Sequence, residues 1–175
     1  MERSQTRLGE GTKGVRLINN LTHMQMRIKK VVICADGASL GNPGLAAIGA
    51  TIKDEQGRLI GHISQRIGTT TNNQAEYRAI VAALEEAIRL GANQVDINLD
   101  SQLIVRQISG EYRVKKASLK SLYHRVKQLQ GLLKGSTITY IPRHQNIEAH
   151  NLANMALRGC LSTPLGNLTG STSPP

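Results

Sequence analysis

The sequence predicts an α/β domain, on three observations. Apolar runs of strand length alternate with longer segments whose apolar residues recur at helical spacing, as in Tyr77, Ile80, Leu84 and Ile88. Glycines such as Gly57, Gly91 and Gly110 stand where one period gives way to another. The 175 residues are enough for one ordinary domain with some excess, and with no Phe, no Trp and four Tyr its core must be aliphatic.

Taken in order, residues 1–27 are polar and weakly periodic and are expected to form a mobile basic extension, with Met24 and Met26 as alternative starts ahead of the first strand. Residues 28–36, 45–54 and 58–68 read as three strands. The connections Gly37–Gly44 and Asp54-Glu55-Gln56-Gly57 are short and turn-rich, which predicts an antiparallel meander. Residues 72–90 carry their apolar side chains at helical spacing and end at Gly91, a helix-terminating residue. Residues 94–100 follow as a fourth strand and 101–109 as a short helix stopped by Gly110. Residues 117–133 set Leu119, Leu122, Val126, Leu129 and Leu133 on one helical face; a strand at 136–141 and a helix from Asn146 to Arg158 complete the domain. The predicted order is βββαβααβα over 28–158, without internal repeat. The tail 159–175, rich in Gly, Ser, Thr and Pro, is expected to be disordered.

A formal charge of +10 points to a polyanionic partner. The lack of Phe and Trp means that stacking of bases on aromatic platforms is not the main binding device. Between Tyr112 and Ile147 there is no acidic residue, while Arg113, Lys115, Lys116, Lys120, Arg125, Lys127, Lys134 and Arg143 fall there. That run reads as a phosphate-contacting face or as a solvated basic one. Cys34 and Cys160 match neither zinc nor disulfide spacing, so a reducing compartment is expected. No apolar run approaches the roughly 20 residues of a membrane span. Arg3, Arg7, Lys13 and Arg16 make a partial transit-peptide pattern that Glu2 and Glu10 interrupt. A cytoplasmic monomer away from membranes is the expectation.

Three carboxylates carry the chemistry. Asp36 closes the run Val31–Ala35, Asp100 closes Val95–Leu99, and Glu76 follows Thr71-Asn72-Asn73 at the start of a helix. If the two strands are neighbours and the helix packs on them, the three meet at one end of a sheet. Clustered carboxylates repel one another, and a hard divalent cation relieves that repulsion through oxygen ligands. Each also has a local reading: Asp36 as a turn-former, Asp100 as an N-cap, Glu76 as a favourable charge in a first helical turn.

The segments Asp36-Gly37-Ala38-Ser39 with Gly41-Asn42-Pro43-Gly44, Thr70 to Glu76, Asp100-Ser101-Gln102, and Ile141-Pro142-Arg143 with Asn146 to Ala153 occur in sequence, each at its own element. Together they resemble type 1 ribonuclease H over 28–158. The resemblance implies a five-stranded mixed sheet flanked by helices. It also implies an endoribonuclease that cleaves the RNA strand of an RNA–DNA hybrid with two Mg²⁺ or Mn²⁺ ions and leaves 5′-phosphate and 3′-hydroxyl ends. Asp36 would lie between the ions, with Glu76 and Asp100 flanking it.

The family's fourth ligand is an Asp in an Ala-Asp pair, and here the pair is Ala149-His150. A histidine suits transition metals better than magnesium, so His150 as ligand implies weaker Mg²⁺ binding and relatively better use of Mn²⁺. The alternative is a position that has lost its role, in a non-catalytic or weakly active hybrid-binding domain. His144 resembles a loop histidine that assists proton transfer or product release, and Glu148 is a possible outer ligand. Asn42, Asn73 and Gln102 match positions that bond the RNA strand, with Ser39, Asn72 and the backbone at Gly37 beside them. Thr71 resembles a contact to DNA phosphate, and Arg143 is expected on the substrate. Between Gly110 and the Leu119 helix there is no room for the extra basic helix and loop of some members.

Overall fold

In the computed structural model, which describes residues 30–159, the backbone forms one five-stranded sheet in the order β3-β2-β1-β4-β5. Strands β1 (Lys30–Gly41), β2 (Gly44–Asp54) and β3 (Leu59–Thr70) are the antiparallel meander, and β4 (Gln94–Leu99) and β5 (Gly135–Tyr140) add in parallel. Helices α1 (Asn72–Arg89), α2 (Gln102–Ile108), α3 (Ala117–Gly131) and α4 (Ile147–Arg158) complete it, the last preceded by a 3₁₀ turn at Arg143–Gln145. The predicted element order is the observed one. The expected extension 1–27 and the tail beyond Gly159 lie outside the described residues, as does Cys160. Among the described residues no helix is long and apolar enough to cross a membrane, and Cys34 is a free thiol.

Side chains on a strand alternate between faces, and β1 shows which face is which. Val31, Ile33, Ala35 and Gly37 are buried in the core under α1, which α3 covers further. That core is aliphatic, built from residues such as Ile33, Ile52, Ile80, Leu84, Ile97 and Val126, none of them more than 0 % exposed. Its one buried aromatic, Tyr77, donates its hydroxyl to Gln107 Oε1 at 3.0 Å, so the polar tip is satisfied. Asp36 points to the opposite face, where α4 crosses β1 and β2.

Two glycines allow the helices to approach. A Cβ on Gly37 would lie 2.2 Å from the backbone nitrogen of Glu76, so only glycine lets α1 sit this close to β1. A Cβ on Gly49 would lie 2.1 Å from the Ala149 carbonyl oxygen, which makes the same demand of α4 on β2.

One expectation needs correcting. Residues 37–44 are not a loop that begins at Asp36. β1 continues to Gly41 in unbroken register with β2, from Asp36↔Gly49 to Gly41↔Gly44, and only Asn42-Pro43 turns. Pairing with β2 overrides the turn preference of the glycines here. Smaller shifts affect helix ends: α1 stops at Arg89 and α3 at Gly131.

β1 pairs with β4 only from Lys30↔Gln94 to Cys34↔Asn98. β4 then ends at Leu99 while β1 continues, and the two strands part. The opening lies where β1 has an antiparallel neighbour on one side and a parallel one on the other, the kind of switch in a sheet where ligands settle.

Candidate active site

A polar cleft of about 330 Å³ occupies that opening, and Asp36, Glu76, Asp100 and His150 all line it. β1 supplies Asp36 and the residue after β4 supplies Asp100. The close approach at Gly37 delivers Glu76 on α1, and the one at Gly49 delivers His150 on α4. Thr71 caps α1 in a reciprocal box, its hydroxyl accepting from the Gln74 backbone while the Gln74 side chain returns to the Thr71 backbone.

Each acidic group has its own hydrogen-bond partner. Asp36 Oδ2 lies 2.8 Å from His150 Nδ1. Glu76 Oε1 accepts from Asn72 Nδ2 at 3.0 Å. Asp100 Oδ1 accepts from Asn146 Nδ2 at 2.7 Å, and the same amide donates to the Ala35 carbonyl at 3.0 Å. Burial pushes the Glu76 carboxyl up to about 7; Asp36 and Asp100 add to the rise, against hydrogen bonds from Ser101 and Asn72. Burial likewise raises Asp36, opposed by the His150 hydrogen bond and reinforced by Asp100. Buried carboxylates that hinder one another's ionisation are the condition a divalent cation relieves.

The donor set therefore fits Mg²⁺ or Mn²⁺ in kind, since both prefer oxygen ligands. Among the described residues, no three His, Cys, Asp or Glu side chains close around a common point. Asp36 is turned toward His150 and Asp100 toward Asn146. His150 is engaged on both nitrogens: Nε2 lies 2.9 Å from Asn154 Nδ2, and Arg143 Nη2 stands 3.1 and 3.2 Å from Nδ1 and Nε2.

Gly37, Ser39, Asn72 and Arg143 also line the cleft. Asn42 sits at the hairpin tip, where its Oδ1 accepts from the Asn72 backbone at 3.2 Å. Asn73 opens instead into a neighbouring cleft of about 470 Å³, lined also by Tyr112, Arg113, Lys115 and Lys116. Gln102 is exposed at the first residue of α2. His144 is exposed in the 3₁₀ turn and does not line the cleft that holds Asp36.

Several local readings change. Glu76 lies in the second turn of α1, not the first. Ser101, not Asp100, is the N-cap of α2. Glu148, a possible outer ligand by sequence, pairs with Lys53 at 2.6 Å and does not line the cleft. Of the basic run, Arg125 is tied to Glu85 at 2.7 Å, while Arg113, Lys115, Lys116, Lys120 and Lys134 are exposed with no acidic partner among the described residues. Sequence reasoning assigned no role to Asn146, Asn154 or Ser101. Ser101 and Asn146 lie within the quoted motif segments, and Asn154 stands four residues after His150 on the same helical face.

The description "Reverse transcriptase-like" belongs to the family model that matches residues 34–156. The chain is 40% identical over 129 residues to the "Bifunctional protein Rv2228c" of Mycobacterium tuberculosis, covering 73% of this chain and 35% of that protein. It is 39% identical over 122 residues to the "Ribonuclease HI" of Halobacterium salinarum, covering 70% of this chain and 61% of that one. The chain thus spans about a third of the mycobacterial relative and under two thirds of the haloarchaeal one. Among solved structures, LC11-RNase H1 in complex with an RNA/DNA hybrid superposes with a TM-score of 0.72 at 38% identity, covering 75% of this chain and 99% of that one.

Proposed function

The chain belongs to the ribonuclease H family, and on that footing we propose that it hydrolyses the RNA strand of RNA–DNA hybrids with divalent metal. The observation that carries this reading is the meeting of Asp36, Glu76 and Asp100 in one cleft, with Glu76 pushed up to about 7 by burial and by the other two. The hybrid bound to the LC11 relative supports the choice of substrate.

Asp36, Glu76 and Asp100 would hold two ions, Mg²⁺ or Mn²⁺, with Asp36 serving both. Bound metal supplies a water of lowered pKa and stabilises charge at the scissile phosphate and the leaving oxygen. With the 3′ oxygen leaving, the products carry a 5′-phosphate and a 3′-hydroxyl. A histidine at the fourth position leaves the cleft one carboxylate short of the family's set, so Mg²⁺ binds more weakly; were the ring itself a ligand, it would favour Mn²⁺.

The chain's own residues position the substrate. Reading RNA requires contact with the 2′-hydroxyl from the shallow minor groove. Ser39, Asn42, Asn72, Asn73 and Gln102, with the backbone at Gly37, are the proposed contacts to the RNA strand. Thr71 with Arg113, Lys115 and Lys116 serves phosphates of the partner strand, and Arg143 serves phosphate at the cleft. His144, in the turn ahead of α4, is the proposed auxiliary for proton transfer or product release.

The rival reading is a hybrid-binding domain without full catalysis, and the histidine at position 150 in place of the family's fourth Asp favours it. One assay separates them: labelled hybrid, duplex RNA and duplex DNA, each with Mg²⁺ or Mn²⁺, alongside Asp36→Asn. Cleavage of hybrid alone, lost in Asp36→Asn, is expected. Binding of hybrid without cleavage by either metal would establish the rival.

A further inference from the structure

By its place in the chain His150 would be a fourth metal ligand, but its hydrogen bonds point to a different task. We propose that His150 is a positioning residue for Asp36, held by Asn154 in the tautomer whose proton sits on Nδ1, so that the ring offers no lone pair to a cation in the cleft. This deepens the reading above and rests on it for the identity of the cleft.

The argument is one of donors and acceptors. Asn154 Nδ2 lies 3.0 Å from the carbonyl oxygen of His150, which can only accept, so that end of the side-chain amide is the nitrogen. The same nitrogen lies 2.9 Å from His150 Nε2, which must then be the acceptor and carry no proton. A neutral ring with a bare Nε2 has its proton on Nδ1, and Nδ1 lies 2.8 Å from Asp36 Oδ2. Donor meets acceptor at each step from the α4 backbone through Asn154 and His150 to Asp36; Arg143 Nη2, which only donates, stands 3.1 Å from Nδ1 and 3.2 Å from Nε2 and finds a lone pair at Nε2 alone. A ring turned over to present a bare Nδ1 would set an Nε2 proton against the Asn154 N–H.

The consequence falls on Asp36. One of its oxygens is committed to the ring, and its carboxylate plane is set by α4; only the other oxygen stays clear of the ring. Arg143, with Nη2 within 3.2 Å of both ring nitrogens, further restrains the ring. His150 thus adds neither a charge nor a ligand. It orients the carboxylate that lies at the centre of the site.

The test is a long-range ¹H–¹⁵N correlation of the histidine rings in the full chain at mildly alkaline pH, with His150→Gln to assign the signals. The expected result is protonated Nδ1 and bare Nε2, with neither nitrogen taking a coordination shift as Mg²⁺ is added to saturation. Asn154→Ala should move the ring toward a mixture of the two tautomers. A wild-type ring protonated on Nε2, or a coordination shift at either nitrogen, overturns the proposal. If Asn154→Ala fails to fold, the wild-type spectra decide alone. The readout involves no hydrolysis, so loss of the proposed nuclease activity and loss of this proposal are separate outcomes.

Discussion

Asp36 and Gly49 face one another across β1 and β2, and the missing side chain at Gly49 is what lets α4 set His150 within 2.8 Å of Asp36. The contact between the central carboxylate and its partner is therefore established from a third element, by an absence of atoms.

Gly49→Ala should consequently damage stability and site together. The added Cβ would fall 2.1 Å from the Ala149 carbonyl oxygen and 2.4 Å from the Ala153 nitrogen, both backbone atoms that cannot move aside cheaply. Overpacking of this kind costs roughly 1–3 kcal/mol. Urea unfolding should show that loss, with hydrolysis falling further than the reduced folded fraction explains. Unchanged stability would mean that α4 is not seated by this contact.

The acidity of Glu76 predicts a pH dependence of the metal-free domain. Its folded value of about 7 lies above the ordinary 4.5, so between these pH values the folded state holds more protons than the unfolded one. The stability from this group is complete below 4.5 and is lost as pH rises to about 7. At about 1.4 kcal/mol per pKa unit the loss is on the order of 3 kcal/mol at most. Melting in chelator across this window should fall for wild type and fall less for Glu76→Gln, and saturating Mg²⁺ should flatten the wild-type curve. A flat wild-type curve in chelator would refute this account of Glu76.

His150→Asp restores a fourth carboxylate. Tighter Mg²⁺ binding is expected, by about tenfold, which is ~1.4 kcal/mol. Calorimetry gives the affinity directly, and the Mg²⁺ to Mn²⁺ activity ratio should rise with it. An affinity no better than wild type would show that lack of negative charge is not what limits the site.

Lys115→Ala and Lys116→Ala test the neighbouring cleft, which Asn73 also lines. If both lysines meet phosphates, each substitution should weaken hybrid binding and reduce the slope of log affinity against log salt by about 1. The rate at saturating hybrid should stay near wild type. An unchanged slope would make these lysines a solvated face.

Much of this molecule was legible before any coordinates. The order βββαβααβα follows from apolar periods and glycine stops, because each element must bury a stripe or a face whatever its neighbours are. Asp36 and Asp100 stood out as carboxylates that close apolar runs in a chain of charge +10, and Glu76 by its place after Thr71-Asn72-Asn73 at a helix start. What stayed hidden depends on partners distant in sequence. β1 runs through Asp36 to Gly41 because β2 pairs with it there, and no local signal outweighs the glycines. Asn146 is nearly fully buried because it bridges Ala35 and Asp100, 111 and 46 residues away. His150 looked like a ligand from its place in the motif, yet its engagement with Asp36 spans 114 residues and depends on the close approach at Gly49. Periodicity and residue type are local properties and can be read along the chain. Which hydrogen bond a side chain makes is decided only when packing brings donor and acceptor to within about 3 Å of one another.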